Sequence, residues 1–242
     1  MDKTTDTIKM NMVKGGKSYN TKNPRKDRIE DVFSYARDNM TSPCAYHLIT
    51  HIHDAELFRA TKSKGFIKEF QRALQRQYKL LAQREPKEGK AKAKRPQKCP
   101  DTLIVYSIEY KLTSQKEIDG KHDAYKYGHK KTEEKLPFLH IHIHMIADCN
   151  NTRAENLTHH AMSAMNELSG LRATTYAKTI PKKTKNKDGD YEYEKPKKYK
   201  KLKTDYDDAV LRAFYLAKTE QKSPEIPYRK AFDTSKVKKL VA

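Results

Sequence analysis

Cysteine is scarce and unpaired in this chain of 242 residues: Cys44, Cys99 and Cys149 are scattered, and no CxxC pair occurs. That pattern excludes a zinc ribbon and a disulfide framework and fits a reducing compartment. Long apolar runs are missing too. None approaches the roughly 18 residues of a membrane-spanning helix, and the opening stretch MDKTTDTIKMNMVKGGK has no apolar signal-peptide centre. The expectation is therefore a cytoplasmic setting with no membrane partner. No GxxxxGK[ST] phosphate loop is present, so the chain has no motif for driving a motor with nucleoside triphosphate. No internal repeat is apparent. Apolar residues make up only 36%, enough for one modest core, and the shortage is concentrated in lysine-rich stretches.

What is abundant is positive charge. Lys and Arg number 51 against 31 Asp and Glu, a net charge of +20. Such an excess repels itself in a compact fold and is best tolerated beside a polyanion. Nucleic acid is the first candidate, since each neutralised phosphate releases counterions; charge alone also suits a generic basic protein.

Along the chain, residues 1–26 read as a flexible basic arm. Residues 27–40 place Ile29, Val32, Phe33 and Ala36 at helical spacing. YHLITHIHD (46–54) reads as a strand or a helix lead-in, and residues 55–84 as one long amphipathic helix. The proline-bounded, lysine-rich stretch 85–100 reads as a linker. These assignments make 27–100 a helical N-terminal extension with a basic linker, ahead of a domain over 101–236. In that domain TLIVYSIEYKL (102–112) and FLHIHIHMIAD (138–148) are strong strands by their β-branched and aromatic content. A polar stretch, 113–135, joins them. A helix follows Asn151, with Leu157, Ala161, Met165 and Leu168 facing inward and Gly170 ending it. Residues 171–180 read as a third strand. Residues 181–203 read as a basic hairpin turning at Asp188-Gly189, with eleven lysines between Lys178 and Lys203 and three tyrosines interleaved. Lysines for phosphates and aromatic faces for bases suit single-stranded DNA; a merely solvated hairpin is the alternative. Candidate DNA contacts are Lys182, Lys183, Lys197, Lys198, Lys200, Lys201 and Lys222. A helix is expected over 205–222.

The sharpest feature is His140-Ile141-His142-Ile143-His144. Alternate strand residues share a face, so the three imidazoles align while Ile141 and Ile143 turn to the core. Imidazole ligates divalent transition metals and also serves as acid, base or nucleophile. The spelling HIHIHMI resembles the histidine-triad nucleotide hydrolases, which would make His142 a nucleophile on phosphorus. It equally resembles the HUH endonucleases, whose His-hydrophobe-His strand holds a divalent metal against a scissile phosphate. In HLITHIHD (47–54), His47, His51 and His53 are read as structural, apart from any site.

On the 205–222 helix, Leu211, Tyr215, Lys218 and Lys222 share a face. A phenol, with its pKa near 10, is a poor nucleophile unless metal or cations stabilise its anion. A His-hydrophobe-His strand followed by a Tyr-x-x-Lys helix resembles the HUH initiators of rolling-circle replication, and YLAKTEQK followed by RKAFDTSK is similar to the C-terminal signature of filamentous-phage initiators and their plasmid and prophage relatives. The resemblance covers roughly residues 100–236. It implies Tyr215 as nucleophile, Lys218 as its phosphate-contacting or phenolate-steadying partner, and His142 and His144 as ligands of Mg²⁺ or Mn²⁺. A third ligand is left among His140, Glu134 and Glu109. No second tyrosine stands at Tyr-x-x-x-Tyr spacing, which argues against paired tyrosines, and Glu220 is a candidate for activating water.

The resemblance implies an α+β fold: a central antiparallel β-sheet of the RRM- or ferredoxin-like kind, helices on one face, the site on the other. The expected protein is a replication initiator, a metal-dependent single-strand endonuclease and strand transferase forming a 5′-phosphotyrosine on a plasmid or phage. It would act on single-stranded or hairpin origin DNA in a bacterial host cytoplasm, with a host helicase and polymerase. The alternatives are a histidine-triad hydrolase and a non-catalytic plasmid DNA-binding protein.

Overall fold

The computed structural model describes residues 23–61, 65–83, 98–113, 136–176, 183–185, 191–193, 197–217 and 231–237. It is an α+β fold built on one antiparallel sheet. Strands β1 (Pro43–Ile52), β2 (Thr102–Thr113), β3 (Leu136–Asp148) and β4 (Leu171–Tyr176) join the short β8 (Phe232–Thr234) in the order β4-β1-β3-β2-β8, and β7 (Lys200–Lys201) pairs with β1. The histidine strand β3 is thus flanked by β1 and β2 along most of its length. The expected boundary at residue 101 runs through this sheet, because β1, in the stretch read as an extension, pairs with β3 beyond it.

The alternation on β3 sorts the two faces. Ile141, Ile143 and Met145 point to one side, where Tyr46, Leu48, Ile104, Tyr106 and Ile108 join them in a buried cluster. Helices α2 (Ala55–Thr61), α3 (Phe66–Gln83) and α4 (Ala154–Asn166) cover this side with Phe58, Phe70, Leu74, Leu157, Ala161 and Met165. The opposite side was expected to be free of helices except for the tyrosine helix, and here the structure differs. Helix α1 (Pro24–Asn39) packs on it beside α5 (Tyr206–Ala213) and the 3₁₀ turn η1 (Phe214–Ala217). The reason lies in that face itself: Ala45, Val105, Ile146 and Phe232 make one end of it apolar, and Ile29, Val32, Phe33 and Ala36 of α1 are buried against it. The other end carries Ser107, Glu109, His140 and His142.

Local chemistry explains the element ends. Helix α1 starts with Pro24 in its first turn, and the Asn23 side chain accepts a hydrogen bond from the Arg25 amide at 3.0 Å. The single helix expected over 55–84 is two: Asp54 caps α2 through the Leu57 amide at 2.8 Å, and α3 starts afresh after Gly65. Gly170 ends the turn after α4 with φ +79°, and a Cβ there would stand 2.5 Å from the Asp54 carbonyl oxygen. Only glycine fits.

The helix expected over 205–222 is α-helical only to Ala213, then tightens to 3₁₀ geometry; its expected C-terminal part lies outside the described residues. The basic hairpin is present as β5 (Lys183–Lys185) paired with β6 (Tyr191–Tyr193). Its turn, the linker over 84–97, the 1–22 arm and the 114–135 connection lie outside the described residues.

Candidate active site

The register of β2 on β3 decides which histidines form a group. Glu109 lies directly opposite His140, Ser107 opposite His142, and Val105 opposite His144. All six side chains stand on the same face, and the β2 carboxylate stands at the His140 end. Glu109 Oε2 lies 3.6 Å from His142 Nε2 and 3.9 Å from His140 Nε2, and the two Nε2 atoms are 3.1 Å apart. Glu109, His140 and His142 are all buried, Glu109 to 0% exposure, and their ligand atoms lie within 4.8 Å of one another.

This group could hold a metal ion, and the donor set fits one. Two ligand nitrogens about 2.1 Å from one cation at a right angle stand about 3 Å apart, close to the spacing seen. Of the three expected third ligands, Glu109 and His140 both lie beside His142, while Glu134 lies outside the described residues.

His144, expected to share the metal with His142, stands elsewhere. Its ring stacks on His47 at 4.4 Å and sits 6.2 Å from the Phe33 ring of α1. The cause is register: the residue facing His144 across β2 is apolar Val105, not a carboxylate. Burial pushes the His144 imidazole well below its ordinary pKa, helped by neighbouring His47 and Arg212.

Part of the first histidine stretch, read as apart from any site, lies against the histidine strand. His47 lies opposite His144 on β1, and its Nε2 is 3.0 Å from Nδ1 of His142. His51 lies opposite His140 with its ring 4.7 Å from Phe138, whereas His53 is exposed. Burial pushes His47 down to about 4, with Arg212 adding to the effect. The signal was present in the sequence: His47 and His51 share the parity of His140, His142 and His144 once the two strands pair. That pairing, however, is not written in either segment.

Tyr215 arrives from the helical layer. Its ring packs edge-on against His142, centroids 5.3 Å apart with planes at 64°. The turn that carries it is tied to α1 by Asn23, whose Nδ2 donates to the Ala217 carbonyl at 2.9 Å. Lys218, Glu220 and Lys222 lie outside the described residues. A cation not singled out from the sequence, Arg212, stands one turn before Tyr215; with His47, His144, Lys198 and Lys200 it lines a small cavity, and burial lowers its guanidinium pKa.

The candidate DNA-contacting lysines divide. Lys197 and Lys201 are exposed. Lys198 donates to His159 Nε2 at 2.9 Å and lies over the Tyr176 ring, and Lys200 is buried with an ion pair to Asp208. Lys183 sits in β5, and Lys182 lies outside the described residues. On the β8 side, Arg25, Arg28, Phe232 and Lys236 line a further cavity of about 510 Å³, so cations border the histidine face at two places.

No described helix is long and apolar enough to cross a membrane. Comparison of the chain with protein-family models, with curated proteins and with solved structures finds no match.

Proposed function

We propose that the protein is a metal-dependent DNA-nicking enzyme of the HUH type that initiates rolling-circle replication, with Tyr215 as its nucleophile. The observation that carries this reading is the placement of the Tyr215 ring on His142, itself a member of the buried Glu109–His140–His142 group. Tyr215 packs against the α1 cluster, and its ring contact with His142 sets it beside that group.

In the proposed reaction Glu109, His140 and His142 would hold a Mg²⁺ or Mn²⁺ ion. When bound, such an ion supplies Lewis-acid polarisation of a phosphoryl oxygen. The Tyr215 oxygen attacks the scissile phosphorus; one P–O bond forms and the P–O3′ bond breaks. The phenol gives up its proton and the departing 3′ oxygen takes one up. The products are a 5′-phosphotyrosine and a free 3′-OH able to prime a host polymerase, so no oxidant or reductant is required. The reverse attack by a 3′-OH reseals the strand, because phenolate is a good leaving group. Arg212 adds positive charge one turn from the tyrosine, and Lys197 and Lys201 offer exposed cations for single-stranded or hairpin origin DNA. A host helicase would separate the strands in a bacterial cytoplasm.

Two rival readings fare less well. A histidine-triad hydrolase needs a nitrogen of His142 directed at substrate, yet Nδ1 is met by His47 and Nε2 by His140 and Glu109. A non-catalytic DNA binder accounts for the charge but gives no use to a buried carboxylate between imidazoles.

The test is incubation with a labelled pool of origin-like single-stranded hairpins, with Mn²⁺ or with EDTA, resolved on a denaturing gel. A metal-dependent protein–DNA adduct is expected for the wild type and none for Tyr215→Phe. An adduct that survives in Tyr215→Phe, or its absence in wild type across the whole pool, overturns the proposal.

A further inference from the structure

Each imidazole of the buried group has two nitrogens, and both sides of each ring are informative. His140 turns Nε2 toward Glu109 and His142, while its Nδ1 lies 3.4 Å from the Phe138 carbonyl oxygen. His142 likewise turns Nε2 toward the group. Its Nδ1 meets Nε2 of His47 at 3.0 Å, from a residue 95 positions away in the chain. A histidine that binds metal through one nitrogen must carry its proton on the other, and that N–H needs an acceptor to fix tautomer and ring orientation. For His140 the backbone provides the acceptor. For His142 it is His47.

We infer that His47 is the positioning residue of His142: its Nε2 accepts the Nδ1 proton of His142 and so aims the lone pair of Nε2 at the Glu109–His140 side. The inference rests on the proposed metal reading of that group. The opposite tautomer, with His47 as donor, would place the His142 proton on Nε2, facing Nε2 of His140, and no cation could be bound there. His47 is itself held by the 4.4 Å stack on His144. This gives the third histidine of the HIHIH run a purpose outside the ligand set: it seats the residue that orients its neighbour. One strand thus supplies both ligating imidazoles, and the adjacent strand supplies the acceptor for one of them.

The experiment is a Mn²⁺ titration of the full chain without DNA, read by the electron paramagnetic resonance signal of free Mn²⁺. Four proteins are compared: wild type, Glu109→Ala, His47→Phe and His47→Gln, each checked for native secondary structure by circular dichroism. Phenylalanine keeps an aromatic ring on His144 but offers no acceptor, whereas the glutamine amide oxygen can reach the position of Nε2. His47→Phe is expected to bind Mn²⁺ about 10- to 100-fold more weakly, and His47→Gln to recover most of that loss. Wild-type affinity in His47→Phe overturns the inference and leaves the metal reading intact, provided Glu109→Ala has lost binding. A glutamine variant as weak as the phenylalanine variant also overturns it, since ring packing rather than the accepted proton would then matter. If the wild type takes up no Mn²⁺, or Glu109→Ala binds as well as wild type, the metal reading fails and takes this inference with it.

Discussion

Glu109 shows how much one buried side chain can demand. Its carboxyl group has no exposure and lies beside imidazole nitrogens at 3.6 and 3.9 Å, and taking such a group out of water is costly. A bound divalent ion should therefore stabilise the protein by mass action. With Mn²⁺ at about 100 times its dissociation constant, the expected gain is about 2.7 kcal/mol, seen as a raised urea midpoint that EDTA reverses and that Glu109→Ala lacks. A midpoint insensitive to Mn²⁺ would contradict this. The remaining histidines predict a response to acid in EDTA. His47 titrates at about 4 and His144 well below its ordinary value, both chiefly through burial, whereas imidazoles of the unfolded chain titrate near 6.5. Below that value the unfolded state takes up protons that the folded state refuses. The stability contributed by these neutral rings is thus full above about pH 6.5 and lost as pH falls toward 4. Urea midpoints at pH 7 and pH 5 should differ, the lower at pH 5, and the difference should shrink in His47→Gln.

At the scale of elements, pairing and turn geometry place what the residues supply. A slip of one residue between β2 and β3 would send Glu109 to the opposite face, among Ile141 and Ile143. The β1–β3 register does the same for His47. Between α4 and β4 the chain must reverse close to α2, and Gly170 permits it through a left-handed backbone and the missing Cβ. Gly170→Ala should cost roughly 1–3 kcal/mol, measured by thermal or urea unfolding; a neutral result would mean that Asp54 and Phe58 yield easily. The change from α to 3₁₀ geometry at Phe214 matters as well. Arg212 ends the α-helical part and Tyr215 lies in the 3₁₀ turn that follows, so a cation precedes the tyrosine by three residues in the chain.

For the molecule as a whole, a charge of +20 sits on a two-faced sheet with a helical layer on each side. The excess makes binding to single-stranded DNA strongly dependent on salt, with log K falling by about 0.7 for each neutralised phosphate per unit of log salt. Replacing exposed Lys197 and Lys201 by alanine should reduce that slope by about 1.4 if each meets one phosphate. Filter binding across a salt series would show it, and an unchanged slope would remove both from the interface. Lys200 should contribute less, being buried and paired with Asp208.

The sequence by itself marked the strands β2, β3 and β4 and most of the helices, because period-2 runs such as HIHIHMI and apolar stripes such as Ile29-Val32-Phe33-Ala36 are local properties of the chain, whereas β1 was left open between strand and helix. It also marked His142, Tyr215, and His140 and Glu109 as alternatives for a third ligand. It left undecided which of these would meet. Register between β2 and β3 put Glu109 beside His140 and Val105 beside His144, and the pairing of β1 brought His47 to His142 across 95 residues of chain. Such matches depend on long-range hydrogen-bonded pairing, which no single segment encodes. The helical cover over the second face was decided in the same way: α1 carries its apolar stripe in its own sequence, but the surface that buries it exists only once four distant segments have joined one sheet.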